Sequence, residues 1–127
     1  MGYYAHGSGD AALKKGVNKD DLTKVLDEIT FKYCPEMEYD FDTIGTTEII
    51  NFCECDTHWH EEDTMEFLNA LIHYIEDGGA EYAGDDDCYW RYTLKNGNWE
   101  AEAGIIYYSF EDMARALERN GYTVIAN

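Results

Sequence analysis

The seven residues from Glu36 to Asp42, EMEYDFD, alternate strictly between acidic and apolar side chains. A period of two is the mark of a strand with one buried face, and no helix gathers such a pattern into a stripe. Met37, Tyr39 and Phe41 therefore turn to a core. Glu36, Glu38, Asp40 and Asp42 stand on the other face at intervals of about 6.8 Å. A strand needs a partner for its backbone polar groups. The one at hand is TEIINFCEC, beyond the turn-like TIGT. Centring the turn on Ile44-Gly45 pairs Met37 with Phe52 and Tyr39 with Ile50, apolar against apolar.

A second hairpin is marked more sharply. Asn96-Gly97 separates CYWRYTLK from NWEAEAGIIYY, the signature of a two-residue type I′ turn. Its register sets Trp99 near Leu94, Ala101 near Tyr92 and Ala103 near Trp90, with Arg91 opposite Glu102. Elsewhere the period is helical. Asn18 is an N-cap for a helix over 19–33 carrying Leu22, Val25, Leu26, Ile29 and Tyr33, and Pro35 ends it. HEEDTMEFLNALIHYIEDGG predicts a second helix with Met65, Leu68, Leu71, Ile72 and Ile75 buried, His73 on the solvated side, and Gly78-Gly79 as the stop.

Ser109 and Asp112 frame a capping-box-like start to a third helix with Phe110, Met113, Ala114 and Leu117 inward. YTVIAN reads as a last short strand, and the opening GYYAHGSGDAAL as a strand with a bulge or turn. The expected order is β-α-ββ-α-βββ-α-(β). That is a single α+β domain over residues 1–127, a mainly antiparallel sheet with about three α-helices packed on it.

With 127 residues, 45% hydrophobic and 15% aromatic, the chain is long enough to bury one ordinary core. Its net charge of -18 is spread unevenly. From Tyr33 to Trp90, 58 residues contain no Lys or Arg and 17 Asp and Glu. Like charges repel and weaken a folded domain, so a one-signed middle points to a basic partner rather than to solubility alone. Direct nucleic-acid binding is disfavoured, because phosphate contacts need Lys and Arg. No apolar run approaches the roughly 18 residues of a membrane span. MGYYAHGSGD lacks the basic and apolar regions of a secretory leader. The expectation is a soluble protein of the cytoplasm with its thiols reduced.

Three acidic groups are candidates for partner contacts: the strand row Glu36, Glu38, Asp40 and Asp42, the helix front Glu61, Glu62 and Asp63, and the loop Asp85, Asp86 and Asp87. Each also has a plainer explanation, respectively an exposed strand face, a first turn whose dipole favours anions, and a solvated loop.

FCECDTHWHEED, from Phe52 to Asp63, concentrates metal-ligand chemistry. The expected register sets Cys34 opposite Cys55, with Cys53 two residues away on the same face and His58 and His60 in the following loop. Three thiolates and one imidazole make a common structural zinc set, so Cys34, Cys53, Cys55, His58 and His60 are the candidate ligands, with Cys88 in reserve. The competing reading makes the thiols small buried hydrophobes and the histidines solvated loop residues. The spacing is not a standard finger pattern, and both readings stand. A disulfide between Cys34 and Cys55 fits the same register, against the reducing compartment. No residue is predicted to be catalytic. His60-Glu61-Glu62 has the bare H-x-E spacing but no P-C-x-x-C accompanies it, and H-E-x-x-H, a Gly-rich phosphate loop and a G-x-S-x-G elbow are all missing. A small zinc enzyme stays as an alternative, as does a general acidic protein-binding module of the antitoxin type.

The opening MGYY…G…G, the WHEEDTMEFLNALIHYIEDG helix and the YWRYTLKNGNW hairpin together resemble a group of small acidic proteins of phages and prophages. Some of that group are anti-CRISPR inhibitors of the RNA-guided nuclease of type II systems. The resemblance covers about two thirds of the chain and rests on core-packing motifs. It implies a protein that docks on a basic surface of such a nuclease and blocks target DNA loading or cleavage. Such nucleases hold nucleic acid in channels lined with Lys and Arg, to which a row of carboxylates is complementary.

Overall fold

The computed structural model of the chain describes residues 3–104. The expected helix at Ser109 and the closing strand YTVIAN lie outside the described residues. Strand β1 (Ala5–Leu13) leads to helix α1 (Lys19–Tyr33), then to β2 (Met37–Ile44) and β3 (Thr47–Asp56). Helix α2 (Glu61–Leu71) and a 3-10 turn (Ile72–Tyr74) follow, then β4 (Ile75–Gly84), β5 (Tyr89–Lys95) and β6 (Asn98–Gly104). Among the described residues the strands form one six-stranded sheet in the order β2-β3-β1-β4-β5-β6, with every neighbouring pair antiparallel.

That order dictates where the helices go. β1 and β2 run parallel with β3 between them, and β3 and β4 run parallel with β1 between them. Parallel strands need a crossover, and α1 and α2 supply the two. One crossover steps two places in one direction, and the other steps two places back from a strand of opposite polarity. Both being right-handed puts both helices on the same face. There Leu22 and Leu26 of α1 and Phe67, Leu68 and Leu71 of α2 close over Ile50, Phe52, Tyr82 and Tyr92. Two polar ties hold the ends of this layer: the Tyr39 hydroxyl donates to the Thr23 carbonyl at 3.3 Å, and the Trp99 indole to the Leu68 carbonyl at 2.7 Å. No described helix is long and apolar enough to cross a membrane.

Helix α1 has the predicted limits, and the Asn18 side chain accepts from the backbone N–H groups of Asp20 and Asp21 at 2.9 and 3.1 Å. The β5–β6 hairpin has the predicted register, with Leu94 opposite Trp99 and Arg91 opposite Glu102. Asn96 and Gly97 take φ of 53° and 78°, as a type I′ turn requires.

Helix α2 ends earlier than its periodicity predicts. Ile75–Gly84 is strand β4, with Gly78 opposite Ala11 and Gly79 opposite Asp10. Ile75 is buried from that strand, and Met65 and Ile72 are only half-buried. Gly78 is therefore no helix stop. A Cβ there would lie 2.9 Å from the Trp99 ring and 3.0 Å from the Ala11 Cβ. Pairing with a central strand outweighed local helical period. β1 likewise runs straight through Gly7-Ser8-Gly9, and its irregularity falls at Ala12/Leu13. A Cβ on Gly9 would lie 2.5 Å from both the Gly79 carbonyl and the Phe52 ring, so this glycine serves close approach, not a turn.

The β2–β3 hairpin is displaced by two residues from expectation. Its turn is Gly45-Thr46, with Gly45 at φ 63°, which sets Met37 opposite Glu54, Tyr39 opposite Phe52 and Phe41 opposite Ile50. A slip of two keeps every side chain on its face. The strand's sidedness holds, but cross-strand partners change.

Candidate functional site

Because both helices cover one face, the other face of the sheet is uncovered by any described element. The registers align it into two rows. One runs Glu38, Cys53, Ser8, Glu81, Arg91 and Glu102 across β2, β3, β1, β4, β5 and β6. The next runs Asp40, Asn51, Asp10, Gly79, Thr93 and Glu100. Small residues at the middle, Ser8 and Gly79, leave an open trough of about 780 Å³ between flanking carboxylates.

The two halves of this face differ in charge. On the β4–β6 side Arg91 pairs with Glu81 at 3.8 Å, and Lys95 with Glu100 and Glu102 at 3.6 and 3.2 Å. On the β2–β3–β1 side Glu38, Asp40 and Asp10 have no ion pair among the described residues; Asp40 takes only a 3.3 Å hydrogen bond from the Asn51 amide. Three carboxylates held on rigid neighbouring strands without a counter-charge are poised for cations from outside.

The predicted contact residues fall in three places. Glu38, Asp40 and Asp42 are exposed on β2, and Glu36 is exposed in the turn before it. Glu61, Glu62 and Asp63 open α2 on the opposite, helix-covered side, where Glu61 accepts from the Tyr92 hydroxyl at 2.9 Å. Asp85, Asp86 and Asp87 form the exposed β4–β5 connection. There the Tyr3 hydroxyl donates to Asp86 and holds its carboxyl below the usual range, and Asp87 takes φ 62°.

The predicted zinc ligands are not brought together as expected. Cys34 caps the C-terminus of α1 and is buried in the core beneath the helices, while Cys53 and Cys55 project from the uncovered face of β3. The two-residue register difference removes the pairing of Cys34 with Cys55, and the sheet itself lies between them. Burial pushes the Cys34 thiol up to about 12, helped by the nearby Glu54, which makes it an inert core residue. His58 and His60 are exposed in the loop before α2. As the side chains stand, no group of three His, Cys, Asp or Glu among the described residues is gathered to hold a metal.

One charged residue escaped the sequence reading. Glu54, between the two cysteines, is 3% exposed. Its Oε1 accepts from the Thr64 hydroxyl at 2.6 Å, the Tyr82 hydroxyl at 3.0 Å and the Trp59 indole at 3.3 Å. Burial raises its pKa even though these three donors favour the charged form. The signal was present: Ile50, Phe52 and Glu54 share one parity, so alternation turns Glu54 inward. Around it Trp59 packs on Tyr82 and Trp90, with centroids 5.9 and 5.1 Å away, so the network pins the loop before α2 to the sheet.

Compared with protein-family models, curated proteins and solved structures, the chain matches none. Fold and site together define an α+β domain that, among the described residues, carries both α-helices on one sheet face and an acidic trough on the other.

Proposed function

We propose that this protein is an acidic docking domain that binds a basic protein surface through the uncovered face of its sheet. The observation that carries the reading is the uncompensated half of the trough, where Glu38, Asp40 and Asp10 stand together without an ion pair among the described residues. A rigid sheet presents these charges at fixed spacing, so binding does not have to order them first. The partner is a surface that uses Lys and Arg to grip phosphates, and within that class the resemblance to phage inhibitors selects the RNA-guided nuclease of type II CRISPR systems. Occupying its nucleic-acid channel blocks target DNA loading or cleavage. The reading assigns no catalytic residue and does not depend on a metal.

The test is a pull-down with purified type II effector nucleases, with and without guide RNA, at low and high salt. Capture that weakens steeply with salt, and that DNA competes away, is the expected result. Failure to capture any such effector, with a different basic protein recovered from host lysate, removes the nuclease from the proposal.

A further inference from the structure

We propose that the uncovered sheet face carries a soft-metal site made by Cys53 and Cys55 of β3 and His6 of β1. Cys53 and Cys55 are two residues apart on one strand and exposed on the same face. The register sets His6 directly opposite Cys55, also exposed on that face. Ser8, opposite Cys53, and Ala83, opposite His6, are small, and a hollow of about 390 Å³ lies over them, lined by His6, Cys53 and Glu81. His6 and Cys53 therefore line one shallow depression, and Cys55 stands beside it on the same face, opposite His6.

The reach is right. Side chains two apart on a strand are rooted about 6.8 Å from each other, and directly opposed cross-strand Cβ atoms are about 5 Å apart. Tetrahedral zinc with Zn–S bonds of about 2.3 Å holds two sulfurs roughly 3.8 Å apart. Thiols leaning toward each other span that difference by side-chain rotation alone, and the imidazole needs only to swing across one strand gap. As the chain stands, Cys55 Sγ instead lies 3.2 Å from the Tyr4 hydroxyl, and the three donors are apart. Metal entry exchanges that weak contact for coordination without moving the backbone. Glu38 flanks Cys53 from β2 and Glu81 flanks the hollow from β4, so a carboxylate or water completes the fourth position. The ligand set differs from the sequence-based one: His6 replaces Cys34, and His58 and His60 take no part.

Titration of the reduced protein with cobalt(II), a spectroscopic stand-in for zinc, tests this. The expected result is one ion per chain with a thiolate-to-metal charge-transfer band, displaced by zinc. Cys53→Ser and Cys55→Ser should each abolish the band. His6→Ala should weaken binding by at least about tenfold, judged from the loss of one of three protein ligands. Cys34→Ser, His58→Ala and His60→Ala should leave the titration unchanged, and circular dichroism should report a folded chain for all the exposed-site variants. Cobalt taken up without the band, as carboxylates alone would bind it, overturns the site. So does a band that survives His6→Ala unweakened or is lost with His58→Ala or His60→Ala.

Discussion

Glu54 is where alternation and chemistry conflict, and the conflict is resolved by hydrogen bonding. Its position in the strand sends it inward, and burial without partners would cost several kcal/mol. Thr64, Tyr82 and Trp59 supply those partners. Glu54→Ala leaves the Thr64 and Tyr82 hydroxyls facing a void, while the Trp59 indole keeps its 2.8 Å bond to the Thr64 hydroxyl, so urea unfolding should show a loss of about 2–4 kcal/mol. Glu54→Gln keeps the acceptor and should cost less. The sign of its pH dependence follows from the raised folded pKa. The protonated acid is the form favoured by folding, so this group's contribution is complete below its free value of 4.5 and is lost as pH rises through the folded value. The stability of wild type relative to Glu54→Gln should therefore fall as pH rises from there toward neutrality. A difference that grows instead would contradict a raised pKa. Residue identity alone placed Glu54 among many acids; only the parity of Ile50 and Phe52 singled it out.

At the scale of elements, what could be read in advance tracks how local the determinant is. Asn18 and the apolar spacing of α1 lie within one segment, and so do Asn96-Gly97 and the β5–β6 pairs. Both elements came out with the predicted limits or register. β4 depends on β1, some seventy residues away in the chain, and the helical period of Leu68, Leu71, Ile72 and Ile75 extends into it. The β2–β3 turn had two candidate centres that preserve the same faces, so hydrophobic pattern could not choose between them. Gly45, at positive φ, takes the first turn position. The glycines of β1 were visible, but the rings and carbonyl they must admit were not. Gly9→Ala should accordingly cost about 2–3 kcal/mol by overpacking, read as a lower denaturation midpoint. An unchanged midpoint would mean that β1 and β4 can separate slightly without penalty.

For the molecule as a whole, topology separates two roles. Right-handed crossovers in opposite directions assign one face of the sheet to the core and leave the other to carry charge. The alternation of EMEYDFD announced that division, and Cys34 lies on the far side of it from Cys53 and Cys55. The charge itself has a cost in self-repulsion. Raising salt from about 0.1 to about 1 M shortens the Debye length from about 10 to about 3 Å. The melting temperature should rise over that range while affinity for a basic partner falls. A melting temperature that drops with salt would argue against net repulsion.

The central claim is that location on the open face, not total charge, makes the docking surface. It is tested most directly by comparing nuclease affinity for two triple reversals of equal charge change. One is Glu38→Lys, Asp40→Lys and Asp42→Lys on β2, and the other is Glu28→Lys, Glu62→Lys and Glu66→Lys on the exposed sides of the two helices. Binding and inhibition should be lost with the first and largely kept with the second. Equal losses from both, or inhibition intact after the first, would contradict the account.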